Sequence, residues 1–248
     1  MKLIVTAACL LGRVRGNNED MALVGTEFVR DGSMTQEVDL YETDRFIVAV
    51  ADGMGGHNAG EVASSDTLHN LQYFFGDLPA GLSTTDFNEY IYEWLVSINH
   101  IIDAKGHLVE GCRGMGTTLV AFVYYDRQFY WMNCGDSRLY CMRDDCLCQI
   151  STDHSLNTLV GENEHSHLIT NCIGGGCKHS YIDIVECTEH VKAGDVFLLC
   201  SDGLSDMLPD ETIQEQLRSN ADANTLCLTA DEAGGVDNIT AITVKIVE

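Results

Sequence analysis

Residues 48–64, VAVADGMGGHNAGEVAS, climb through an apolar run to one carboxylate, Asp52, and break at once into Gly53, Met54, Gly55, Gly56 and His57. A carboxylate leaving a buried strand has two uses. It can cap the helix that follows by accepting a backbone N–H, or it can hold a cation that the glycines allow to come close. The same arrangement recurs along the chain. Gly135-Asp136-Ser137 lies between two apolar runs, Ser201-Asp202-Gly203 follows VFLLC, and Asp237-Asn238 precedes an alternating apolar run. Near the start, Arg15, Glu19 and Asp20 lie between two strand-like runs. Each alone reads as an ordinary turn or cap. Together they are carboxylates at the edges of apolar runs whose ends would converge at one end of a sandwich, where unpaired burial is too costly without a neutralising charge. Arg15 is the basic group that stands out beside them, and lysine is scarce. The missing cation is then a metal, and an all-oxygen ligand set selects Mg²⁺ or Mn²⁺ over zinc or copper.

The elements that must position these residues can be read from periodicity. Strand-like runs occupy 3–9, 21–29, 45–51, 117–125, 128–134, 137–142, 181–187, 195–200 and 239–247. Between them, Val62, Leu68, Leu71 and Phe75 mark one face of a helix over Ala59–Phe75. Phe87, Tyr90, Ile91, Trp94, Leu95, Ile98, Ile101 and Ile102 mark a second over Asp86–Lys105, with Asp86 and Glu89 as its capping pair. Shorter helices fit Asp210–Ser219 and Ala221–Ala233. Asp126-Arg127 and Asp144-Asp145 read as hairpin turns. Runs of strands joined by turns, with helices in pairs, make an α+β chain. The expected fold is a four-layer αββα sandwich of two antiparallel sheets flanked by helix pairs.

Composition narrows the classes of function. The chain has 248 residues, 45% of them hydrophobic, and only two prolines. No linker, repeat or low-complexity stretch appears, and a single domain over 1–248 is expected. A formal charge of −24 argues against nucleic acid or an anionic membrane as partner. Eleven cysteines are an odd number, no Cys-x-x-Cys pair occurs, and many lie in apolar runs. Reduced thiols in a cytoplasmic protein are therefore expected. Cys146 and Cys148 give only a Cys-x-Cys spacing, a weak zinc signal. The N-terminal MKLIVTAACLLG imitates a short signal peptide, but its apolar core, Leu3 to Leu11, is read as a first buried strand.

Seven segments carry a resemblance. RGNNED (15–20), DGMGGH (52–57), GMGTT (114–118), GDSR (135–138), DHS (153–155), SDG (201–203) and DNIT (237–240) resemble, in order, the motifs of the metal-dependent protein serine/threonine phosphatases, type 2C, with the bacterial branch closest in form. The resemblance implies a β-sandwich with a binuclear Mn²⁺/Mg²⁺ centre at one end. In it Asp52 bridges two ions, the Gly53 carbonyl binds one, and Asp202 and Asp237 bind the other. Glu19 holds a metal-bound water, supported by Asp20, and Asp136 with Asp202 forms a possible third site. Arg15 grips the substrate phosphate, and a water between the metals attacks a phosphoserine or phosphothreonine. Phosphoprotein substrates, an opposing Ser/Thr kinase and a monomeric enzyme follow from the same likeness. Two departures leave alternatives open. The position after Asp52-Gly53, where many eukaryotic relatives have a histidine as general acid, is Met54; His57 is then either the acid or a helix cap, with a metal-bound water in the first role. The flap at about 155–180 is short and carries Asn171 where bacterial relatives often have arginine. A catalytically weak phosphoprotein-binding scaffold, or a phosphatase of small esters or phosphotyrosine, stays as the alternative. Glu164, His165 and His167 in the flap invite a second metal reading, against which stands an ordinary polar loop.

Overall fold

A computed structural model describes residues 1–55, 59–156 and 168–248. One sheet contains β1 (Lys2–Leu10), β4 (Gly32–Asp39), β10 (Arg138–Arg143), β11 (Cys146–Gln149), β14 (Val196–Cys200) and β15 (Ile239–Val247), in the order β11-β10-β14-β15-β1-β4. The other contains β2 (Met21–Val24), β3 (Glu27–Val29), β5 (Arg45–Ala51), β8 (Leu119–Tyr125), β9 (Gln128–Cys134) and β13 (Asp183–Glu186), in the order β13-β9-β8-β5-β2-β3. All pairings are antiparallel. A third, small sheet joins β6 (Gly53–Met54), β7 (Gly116–Thr117) and β12 (Ile173–Gly174) in the order β12-β7-β6.

Side-chain alternation along the strands builds the layers. In β8, Val120, Phe122 and Tyr124 face the other sheet, beside Phe46, Val48 and Val50 of β5 and Leu3, Val5 and Ala7 of β1. The alternate residues Leu119, Ala121, Val123 and Tyr125 face outward onto α1 (Gly60–Asp77) and α2 (Thr84–Leu108). Leu198, Cys200 and Ala241, on the far side of the first sheet, are covered by α3 (Asp202–Ser205), α4 (Asp210–Arg218) and α5 (Ala223–Ala233). Helix, sheet, sheet, helix is the expected αββα order.

The differences from the sequence reading have local causes. The run 21–29 is two strands because Gly25, at φ +61°, opens a two-residue turn. The run 117–125 breaks at Thr118, whose backbone and hydroxyl both bond Asp52. Helix α2 starts at Thr84 rather than Asp86. Ser83 accepts the Asp86 N–H at 3.2 Å and donates to its carboxylate at 2.7 Å, which makes the capping pair Ser83 and Asp86, not Asp86 and Glu89. Tyr90 and Ile101 lie on its exposed side. Strands β4 and β11 were not expected: both are edge strands with half-polar patterns. The two hairpin turns stand as read, with Asp126, Arg127, Asp144 and Asp145 all at positive φ. The N-terminal run is a strand held between β15 and β4. All eleven cysteines are free thiols.

Candidate functional site

The end of β5, the start of β2, the start of β10, the end of β14 and the start of β15 meet at one end of the sandwich, and each delivers a carboxylate. Asp52 follows β5. Its N–H donates to Thr118 Oγ1 (3.1 Å), and its carbonyl accepts from the Thr118 N–H (2.9 Å) and from Thr117 Oγ1 (2.8 Å). Backbone bonds on both sides fix where its carboxylate leaves the strand. Thr118 Oγ1 also meets Ser137 Oγ at 2.7 Å, which ties Asp52 to the turn that carries Asp136. The capping alternative fails: helix α1 begins after Ala59, with no side-chain cap. The carboxylate at that helix start is Glu19, whose Oε1 accepts the Gly60 N–H at 3.3 Å.

Glycine matters most at Gly53, where a Cβ would collide with the carbonyl oxygens of Gly60 and Glu19. The main chain of Gly53 therefore packs directly against the segment that positions Glu19. Glu19 is further held by Asn238, which accepts its N–H at 2.9 Å, and by Ser64, which donates to its carbonyl at 2.6 Å. Asp20 is 1% exposed and accepts from Ser201 Oγ (2.7 Å) and Thr240 Oγ1 (2.8 Å). Asp202 opens the short helix α3. Asp237 accepts the Asn238 N–H at 2.8 Å on one oxygen and Arg15 Nη2 at 2.5 Å on the other.

Electrostatics follow from this crowding. Burial, then the charges of Asp20, Asp202, Asp136 and Asp237, hold the Asp52 carboxyl well above the carboxylate range. Burial pushes Asp20 up to about 7 against the pull of its two hydroxyl donors. Asp136 is also pushed up to about 7, by burial and then by Asp202. Burial raises Glu19 as well, partly offset by the Gly60 N–H. These groups resist ionisation together, so a cation placed among them is bound strongly and brings their pKa values down.

Donors that are all oxygen, with no lysine among them and the Gly53 backbone packed against Glu19 and Gly60, suit a hard divalent ion. As they stand, no three Asp, Glu, His or Cys side chains among the described residues surround a single point. Asp237 has both oxygens engaged by Arg15 and its own turn. His57 lies outside the described residues, as do Glu164, His165 and His167.

Several residues that hold this cluster had no role in the sequence reading. Thr117 and Thr118 stood inside a recognised motif without a task. Ser201, Thr240 and Asn238 adjoin the predicted carboxylates and bond the neighbouring ones. Asn171, the departure in the flap, fastens its segment to the Asp136 turn. Its Nδ2 reaches His154 Nδ1 (2.8 Å) and the Tyr181 carbonyl (2.7 Å), and the Gly135 N–H donates to that same His154 nitrogen (3.1 Å).

A family model described as protein phosphatase 2C matches residues 24–238. The chain belongs to the protein phosphatase 2C family. It is 34% identical over 247 residues to the serine/threonine protein phosphatase PstP of Mycobacterium tuberculosis, covering 96% of this chain and 44% of that relative; it thus spans less than half of PstP. It is 30% identical over 249 residues to the serine/threonine phosphatase stp of Listeria innocua, covering 94% and 92% of the two chains. The solved catalytic domain of PstP in complex with 2 manganese ions superposes with a TM-score of 0.76 at 31% identity over 100% of both chains. Among the described residues no helix is long and apolar enough to cross a membrane.

Proposed function

We propose that this chain hydrolyses phosphoserine and phosphothreonine in proteins, with Mn²⁺ or Mg²⁺ bound among the clustered carboxylates. The observation that carries it is the convergence of Asp20, Asp52, Asp136, Asp202 and Asp237 at one end of the sandwich, with the Arg15 guanidinium reaching into the same cluster. Asp52, the Gly53 carbonyl, Asp202 and Asp237 would hold the two ions. Glu19 would act through a water, Asp20 would stay behind it, and Asp136 with Asp202 would hold a third ion. Bound ions would supply an acidified water as nucleophile and positive charge for the phosphate oxygens.

The chain's own residues do the positioning. Arg15 is half exposed and projects from the loop after β1. Its planar fork can donate to two phosphate oxygens once Asp237 releases it, a geometry lysine does not reproduce. Thr117 and Thr118 keep the Asp52 carboxylate aimed at the cluster, while Asn238 and Ser64 keep Glu19 beside the start of α1. The same residues explain how so acidic a protein can bind a dianion: the charge is reversed locally, by the guanidinium and by whatever cations the carboxylates hold.

The test is hydrolysis of a phosphothreonine peptide by the purified chain with Mn²⁺, with Mg²⁺ and with EDTA, beside a phosphotyrosine peptide. Turnover with metal, its loss on chelation and a much slower phosphotyrosine reaction are expected. Equal rates on the two peptides would overturn the Ser/Thr assignment, and no turnover under any metal would favour a phosphoprotein-binding scaffold. A kinase that phosphorylates the same substrates is part of this proposal, as is action by a monomer in the cytoplasm.

A further inference from the structure

At the base of the flap, Cys172 Sγ lies 3.3 Å from Cys177 Sγ. The chain between them is Ile173-Gly174-Gly175-Gly176, and it reverses sharply, with the Cys177 N–H donating to the Gly174 carbonyl at 2.9 Å. All three glycines hold positive φ, at 74°, 59° and 83°. No other residue type adopts three such conformations in a row cheaply. Gly175 has a second reason to lack a side chain: a Cβ there would lie 2.8 Å from Cys172 Sγ. The reversal is also clamped from outside. Asn99 of α2 accepts the Gly174 N–H at 2.7 Å and donates to the Cys177 carbonyl at 3.0 Å. The two sulfurs are thus brought together by a built turn, one of them buried and the other half exposed.

From these observations we infer that Cys172 and Cys177 form a reversible disulfide under peroxide, and that its closure lowers the activity of the carboxylate site. A disulfide needs the sulfurs about 2.05 Å apart, a closing motion of little more than an ångström across a glycine turn. The half-exposed Cys177 meets the oxidant first. The Cys177 thiol gives up its proton, the thiolate attacks one oxygen of hydrogen peroxide, the O–O bond breaks, and the departing hydroxide takes up that proton and leaves as water. The Cys172 sulfur then attacks the sulfenic sulfur; the S–S bond forms as the S–O bond breaks, and the Cys172 proton leaves with the hydroxide as a second water. Two thiols and one peroxide give one disulfide and two waters. A dithiol reductant reverses the reaction.

Two connections carry the closure toward the site. Ile173 and Gly174 pair with Thr117 and Gly116, which pair in turn with Gly53 and Met54. Next to Cys172, Asn171 bonds His154, which holds the Gly135 N–H before Asp136. The exposed Cys146 and Cys148 make a useful internal control. Two residues apart on one strand, they point to the same face with Cβ atoms spaced wider than a disulfide spans. Cys148 stands opposite Cys141 and Cys146 opposite Arg143, so Cys146 is the cleaner control.

The experiment treats the reduced chain, freed of reductant, with hydrogen peroxide, then maps thiols by differential alkylation and peptide mass. The expected product is a Cys172–Cys177 crosslink, lighter by two hydrogens, reversed by dithiothreitol and absent in Cys177→Ser. Oxidation of Cys177 to sulfinic acid while Cys172 is still alkylated, or crosslinks elsewhere while both stay reduced, would overturn the pairing. Turnover of a phosphothreonine peptide is the second readout. A several-fold loss in the oxidised wild type, restored by dithiothreitol and missing in Cys177→Ser, is expected; unchanged turnover of the crosslinked protein would overturn the link to the site. The pairing itself does not rest on the phosphatase reading, so the mass readout stands or falls separately from it.

Discussion

Asp195, at the far end of β14 from the carboxylate cluster, is 2% exposed. Arg143 meets it with two nitrogens, Nε at 2.7 Å and Nη2 at 2.6 Å, and the Lys192 N–H adds a third donor at 2.8 Å. Asp153 receives the same treatment from Arg138, through Nε and Nη2. At the opposite end of the sandwich, where β14 runs into Asp202, Asp52 has four carboxylates, Asp20, Asp202, Asp136 and Asp237, as its charged company, and Arg15 reaches Asp237. Where this fold needs a buried carboxylate for structure, it supplies a guanidinium fork. At the site the carboxylates crowd one another, and the fork that reaches them, Arg15, is half exposed. The contrast separates two functions of one residue type that local sequence does not distinguish.

The comparison breaks most sharply if Asp52 proves structural. Asp52→Asn should lower kcat with Mn²⁺ by at least about 10²–10³-fold, the scale on which a preorganised charge is lost from a reaction centre. Steady-state hydrolysis of a phosphothreonine peptide checks this, and near-normal turnover would place Asp52 with Asp195. Replacing Arg15 should cost about 10–100-fold in kcat/KM, since a charged hydrogen bond contributes about 1.5–3 kcal/mol. Arg15→Lys should recover little of that loss, because the fork and not the charge alone is used.

Melting experiments sharpen the same contrast. Asp195→Asn weakens a buried pair and should cost about 1–3 kcal/mol, or several degrees of Tm, with turnover little changed. In EDTA, Asp52→Asn should raise Tm instead: burial and its neighbours hold the Asp52 carboxyl well above the carboxylate range, so folding near neutral pH must keep it protonated at a cost that a neutral amide does not carry. The pH dependence of the metal-free chain has a definite sign. Asp20 and Asp136 have folded values of about 7, above their unfolded range near 4, so the folded state binds more protons between these values. Their contribution is present at low pH and is lost as pH rises through about 7. The Tm in EDTA should therefore fall from pH 5 to 8, Asp136→Asn should flatten that slope, and added Mn²⁺ should abolish it. The smallest effect is expected at Thr118→Val. Loss of its hydroxyl bonds to the Asp52 N–H and Ser137 should cost about 1 kcal/mol and slow turnover a few-fold through kcat rather than KM.

Sequence carried the layers and the carboxylates because both depend on short-range pattern. Alternation along β5 and β8 marked two covered faces, and each Asp stood at the end of an apolar run. What sequence did not carry was set across the fold. Strand β4 has only Met34 and Val38 as strongly apolar residues, since an edge strand needs only one covered face. The break at Thr118 is imposed by Asp52, 66 positions away. The donors on Asp20 come from Ser201 and Thr240, at separations of 181 and 220 residues, and no local reading joins such partners.

The pairing of β1 with β15, from Lys2 opposite Val247 to Leu10 opposite Ile239, has a consequence for how the chain is made. During synthesis β1 emerges first and finds β4 early, but its other edge stays open until β15 arrives, more than 200 residues later. Asp237 arrives just as late, directly before that last strand, while Asp202 comes earlier, at the end of β14, its neighbour in the sheet. The inter-sheet core gains Ile242, Val244 and Ile246, and the carboxylate cluster gains Asp237, only with this last segment. A product that stops before Asp237 lacks β15 as well and leaves one edge of β1 unpaired, an open strand edge that quality control can recognise.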